Sequence, residues 1–155
     1  MHLGKLAVYL RWLGFDTLYR NDYADEELAR ISVEEKRILL TRDRNLLKRR
    51  IITHGYFVRA TDPKQQIAEV LNHFDLFDKI RPFQRCLRCN QPLRPVEKAI
   101  ILERLEPLTH QYYNEFHICD ACDQIYWRGS HYEHMQHFLT NLIIEKSQGQ
   151  NTGIY

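Results

Sequence analysis

An α/β fold, a parallel sheet flanked by helices and followed by a small cysteine-held module and a closing helix, is what this 155-residue sequence predicts. Three features carry that expectation. Helix-period and strand-like segments alternate up to about residue 80, a pattern that implies right-handed crossovers and parallel pairing. Prolines and paired cysteines then change the texture of the chain, and an amphipathic segment ends it.

Leu3, Leu6, Ala7, Leu10 and Leu13 recur at helical spacing, with Gly14 where a C-cap belongs. Thr17–Tyr19 reads as a short strand. A second helix starts near Asp25, with Leu28, Ile31 and Glu35 in register. Arg37–Thr41 is a short apolar strand of the kind that sits mid-sheet. Arg44–Arg50 reads as a short basic helix, Tyr56–Arg59 as the next strand, and Asp62-Pro63 as the start of a helix carrying Ile67, Val70, Leu71 and Phe74.

Pro82, Pro92 and Pro95 mark a boundary near residue 80, so the expected division is 1–80, 81–146 and a flexible tail over 147–155. A hydrophobic content of 44% suffices for a core, and no apolar run reaches the roughly 20 residues of a membrane helix. The N-terminus lacks the pattern of a signal peptide, so the expected location is cytoplasmic. Disulfides are disfavoured there, and cysteines in pairs point to metal.

The pairs are Cys86-Leu-Arg-Cys89 and Cys119-Asp-Ala-Cys122. Two such turns complete a tetrahedron of thiolates around Zn2+ and leave no open position, as in a structural site. Phe116–Ile118 and Ile125–Trp127 are expected to form a hairpin around the second pair. Four unrelated cysteines, or a redox pair, are the alternatives; the matching second pair argues against both. His131, His134 and His137 drift around a helix instead of converging, and read as a polar face or an RNA contact.

The net charge of +2 names no partner, but the segment holding Arg42, Arg44, Lys48, Arg49 and Arg50 is a candidate phosphate-binding patch; a solvated helix face is the alternative. In a parallel sheet, functional groups gather at the carboxyl ends of strands. Asp43 follows the central strand, Asp62 follows the next, and Asp25 opens the helix before the central strand. Such carboxylates could share Mg2+ or Mn2+ and steady a phosphodiester displacement. Each has a structural alternative as a helix cap, strongest for Asp62, where Pro63 and Gln65 complete the signature.

Leu3-Gly4-Lys5-Leu6-Ala7, Leu10 to Thr17, Asp25-Glu26-Glu27-Leu28, Arg37 to Asp43, both cysteine pairs and Ile125 to Tyr132 together resemble one family. It is the PIN-like ribonuclease domain named after the C-terminal part of the Mut-seven exonuclease, and the likeness runs from Leu3 to about Met135. The resemblance implies a PIN-like α/β core with a zinc ribbon, metal-dependent RNase activity and an RNA substrate. Asp25 matches the acid at the start of the helix before the central strand; Asp43 matches the acid of the Thr-Arg-Asp motif; Asp62 matches only loosely. Arg85, Arg88, Tyr126 and Trp127 of the ribbon would present RNA. Family members begin with a strand ending in aspartate where Met1-His2 stands here, so the first strand is expected to be missing and the nuclease domain N-terminally incomplete. The alternative function is a non-catalytic RNA- or partner-binding module that has lost the first active-site acid.

Overall fold

The computed structural model describes residues 3–152, with side chains to Glu145. The chain divides into two compact units, one of residues 1–11 and 16–79, the other of residues 12–15 and 80–155. Met1 and His2, beside which the missing first strand was expected, lie outside the described residues. Among the described residues, no helix is long and apolar enough to cross a membrane.

In the first unit, α1 (Gly4–Trp12) buries Leu6, Ala7, Leu10 and Arg11. A buried arginine needs acceptors, and Arg11 Nε donates to the Thr17 carbonyl at 2.9 Å. Thr17–Tyr19 forms no strand, contrary to expectation; that carbonyl is held by a side chain instead of a ladder. α2 (Asp25–Glu34) is followed by β1 (Leu39–Thr41), shorter than the Arg37–Thr41 run suggested. Arg37 still belongs to the end of the helix: its N–H donates to the Ser32 carbonyl and its own carbonyl accepts from Ser32 Oγ. Ile38 is 50% exposed, so the apolar run does not translate into a fully buried strand.

α3 (Arg44–Leu47) also stops early. The Lys48 and Arg49 amides reach back only three residues, to Asn45 and Leu46, and tighten the turn. β2 (Gly55–Phe57) pairs parallel to β1, Leu40 opposite Tyr56. α4 (Pro63–His73) buries Gln66, Ile67, Val70 and Leu71, and a short 3-10 turn, Phe77–Lys79, ends the unit. Among the described residues the parallel sheet thus has two strands, where three were expected.

The Val58 amide still donates to the Thr41 carbonyl at 2.8 Å, but the backbone groups after it find side chains, and β2 ends at Phe57. Arg42 Nη1 donates to the carbonyls of Val58, Arg59 and Ala60 at 2.6, 2.7 and 3.1 Å. The Glu69 carboxylate accepts from the amides of Arg59 and Ala60, both at 2.9 Å, and from the Tyr56 hydroxyl at 2.6 Å. One cation and one anion therefore complete the backbone beyond the point where the β1 ladder stops.

In the second unit Leu13 is fully buried and Gly14 has φ +97°. A Cβ there would lie 2.1 Å from the Arg81 carbonyl oxygen, so glycine is required both by conformation and by space. β3 (Leu93–Val96), β4 (Phe116–Cys119) and β5 (Ile125–Tyr126) form an antiparallel sheet in that order. Between β3 and β4 lie α5 (Lys98–Ile101), a 3-10 turn and α6 (Pro107–Tyr112), helices that periodicity did not reveal. Val96, Ile101, Phe116, Ile118 and Ile125 make the apolar cluster, with Leu105, Tyr113 and Trp127 packed against it. α7 (Ser130–Thr152) runs through most of the segment expected to be a tail; 153–155 lie outside the described residues.

Burial pushes the Glu69 carboxyl up, but the Tyr56 hydroxyl and the Arg59 and Ala60 amides outweigh it and hold it below its ordinary 4.5. A group depressed on folding adds stability that is complete above its unfolded value and lost as pH falls through its folded one. Urea unfolding measured across a pH series should therefore show stability falling below about pH 4.5, and Glu69→Gln should flatten that acid limb.

Candidate metal centre and acidic edge

Two tight turns build the metal centre, and they have the same construction. In the first, the Asn90 amide donates to the Cys86 carbonyl and the Cys86 amide to the Gln91 carbonyl, both at 2.9 Å. In the second, the Asp123 amide donates to the Cys119 carbonyl at 2.7 Å and the Cys119 amide to the Gln124 carbonyl at 2.9 Å. The residue after the second cysteine is left-handed in both, with φ +69° at Asn90 and +65° at Asp123. Asn and Asp tolerate that region better than other side chains. The turns sit on antiparallel pairs: the Arg85–Pro92 bridge for one and β4–β5 for the other.

The turns bring the four Sγ atoms within 4.8 Å of one another. Cys86 and Cys122 are 3.4 Å apart, as are Cys89 and Cys119, too long for disulfides. A tetrahedron with Zn–S of about 2.3 Å has edges of about 3.8 Å, so the set has the size that zinc requires and could hold one ion. Among the described residues it is the one group of three or more His, Cys, Asp or Glu side chains placed to share a metal. His131, His134 and His137 are exposed and take no part.

The thiols do not behave alike. Burial raises Cys86, but a hydrogen bond with the Tyr126 hydroxyl and the Cys89 and Arg88 amides bring it down to about 7. Burial pushes Cys89 up to about 12, and its sulfur neighbours add to that. One thiolate forms readily and then opposes charge on its neighbours; a divalent cation removes the conflict.

Tyr126 was expected to be an exposed base-stacking residue. It is half-buried instead. Its hydroxyl accepts from the Leu87 amide at 3.0 Å and lies 3.1 Å from Cys86 Sγ, to which it can donate when that sulfur is a thiolate. Trp127 packs on Phe116, ring centroids 6.1 Å apart. Arg88 is exposed and donates to Gln124 Oε1 across the two turns, while Arg85 donates to the Asn90 carbonyl. Sequence reasoning missed the role of Tyr126; a tyrosine seven residues past the first cysteine of its turn was the available signal.

Each candidate acid of the first unit stands at a helix start. Asp43 lies two residues past the end of β1 and caps α3, Oδ1 accepting from the Asn45 and Leu46 amides at 2.9 and 3.4 Å. Asp62 caps α4 in the same manner, through Lys64 and Gln65. Asp25 is the first residue of α2; the cap position belongs to Ala24, which offers no side-chain bond. All three are exposed, and they do not form a three-carboxylate group placed to share an ion. Glu26, next to Asp25, pairs with Arg49 at 3.3 Å and ties the start of α2 to the chain after α3.

The basic segment is less uniform than its sequence suggests. Arg42 is committed to the carbonyls after β2, and Arg44 lies 4.2 Å over the Phe57 ring. Lys48 and Arg50 are exposed, and Arg49 is the partner of Glu26.

The purified chain should carry one zinc per molecule by elemental analysis, and Cys119→Ser should abolish it. Tyr126→Phe deletes the proton donor to Cys86 and should weaken zinc about 10- to 100-fold in a chelator competition.

Neither the curated proteins nor the solved structures give a match to this chain. A family model does: the Mut7-C RNAse domain matches residues 1–139, nearly the whole sequence, a span that includes the three acids and four cysteines just described. The chain belongs to the Mut7-C RNAse domain family.

Proposed function

We propose that the protein is a Mg2+- or Mn2+-dependent ribonuclease that cleaves RNA phosphodiester bonds, with a structural zinc ribbon that aids RNA binding. The match to the RNase domain over residues 1–139 carries this reading. Asp25 and Asp43 would hold the catalytic ion, which supplies charge neutralisation and an activated water when bound. The Asp25 carboxylate and Asp43 Oδ2 make no hydrogen bond among the described residues, so both have capacity for a cation. The Glu26–Arg49 pair supports a shared edge for the two segments. Asp62, whose carboxylate caps α4, is assigned only a peripheral part.

Lys48 and Arg50 are the cations best placed to meet phosphates, with Arg44 and Arg49 beside them. Arg42 contributes by fixing the strand end next to Asp43. The ribbon's ion is structural in this reading, because four thiolates fill its coordination.

One observation favours the alternative, a non-catalytic RNA- or partner-binding module: Asp25, Asp43 and Asp62 do not make a three-acid cluster. Asp43→Asn separates the two. Asparagine caps a helix as well as aspartate, so α3 should survive while the anionic ligand is lost. In a single-turnover assay with Mn2+, the wild type should cleave RNA, and the variant should bind RNA nearly as tightly and cleave at least about a hundredfold more slowly. Equal cleavage by the variant would remove Asp43 from the mechanism; no cleavage by either chain, with RNA still bound, would favour the binding module.

A further inference from the structure

The second unit contains a cavity of ≈ 290 Å³, lined in part by Arg85, Tyr126 and Trp127 of the ribbon, to which the nuclease reading assigns no ligand. Trp12, Phe83, Tyr126, Trp127 and Tyr132 supply aromatic walls. The rings are ordered into a ladder. Phe83 stacks on His117 at 5.0 Å with planes 12° apart, and on Tyr132 at 5.2 Å and 18°. Tyr132 in turn meets Trp12 at 5.2 Å.

Two further features point to a ligand that is both flat and anionic. The Arg128 guanidinium lies 5.2 Å over the Tyr132 ring and 5.9 Å over Phe83, while Arg85 and His131 line the cavity and no carboxylate does. Phe83 has φ +63°, a conformation costly for an aromatic residue. Such strain persists only where the surroundings enforce it, and it fixes the ring that joins the two halves of the ladder. The volume lies at the lower end of small-molecule sites, enough for one ring system.

We propose that this cavity is a stacking subsite for one base of single-stranded RNA, with the half-buried Trp12 ring offering the π face, Tyr132 and Phe83 backing it, and Arg128 and Arg85 facing the adjoining phosphates. It rests on the ribonuclease reading for the identity of the polymer. Aromatic faces take any base, so the subsite would hold the strand without dictating its sequence.

Tryptophan fluorescence of the zinc-loaded Asp43→Asn chain, titrated with a single-stranded RNA oligonucleotide and with an abasic strand of equal length, tests it. Base-containing RNA should quench the emission and bind about tenfold more tightly than the abasic strand, and Tyr132→Ala should remove about tenfold in affinity with zinc content unchanged. Equal affinity for the abasic strand would overturn the subsite, because phosphate contacts alone would then explain binding. Quenching by a proline-rich peptide with none by RNA would also overturn it and assign the groove to protein. Should Tyr132→Ala lose its zinc, the comparison of the two strands decides by itself. Wild-type cleavage together with base-independent binding would sink the subsite and leave the nuclease; base-dependent quenching without wild-type cleavage would do the reverse.

Discussion

Four sulfurs held within 4.8 Å of one another impose the governing constraint on the second unit. Their charges repel at that distance, and only a cation among them lets all four ionise. The backbone of the two turns suits this arrangement: each closes with the same pair of hydrogen bonds and the same left-handed position. Antiparallel pairing of β3, β4 and β5 then brings the second turn level with the first, Leu93 lying opposite Cys119. Tyr126 adds the outer support, one hydroxyl serving both a ligand sulfur and the amide of the neighbouring Leu87. The apolar cluster around Phe116 is small, so metal binding and folding are expected to be strongly linked here.

The first unit solves a different problem. Two strands cannot satisfy the backbone at their carboxyl ends, and Arg42 and Glu69 take over from the ladder. This explains why Arg42, the middle residue of Thr41-Arg42-Asp43, points to carbonyls and not to solvent phosphates. It also places Asp43 beside a stiffened strand end, where a carboxylate can be held in position without being consumed by an ion pair.

Much of this was legible in the chain. The cysteine pairs, the helix over the Leu6–Leu10 stripe, the caps at Asp43 and Asp62 and the hairpin at the second pair follow from spacing and local chemistry. The failures have a common cause. Thr17–Tyr19, Arg37-Ile38 and Val58-Arg59 have strand-like side chains, yet their backbone groups bond to Arg11, Ser32, Arg42 and Glu69. Local propensity cannot foresee a long-range side-chain partner.

The sequence by itself determined the donor set of the metal centre, the position of each acid relative to a helix start and the family, because these depend on residue type and short spacing. Tertiary structure decided where the sheet stops, that Tyr126 serves the cysteines, and that Phe83, Tyr132 and Trp12 line one cavity. Those outcomes join residues far apart in the chain, and packing and hydrogen-bond satisfaction select such contacts only once the whole unit has closed.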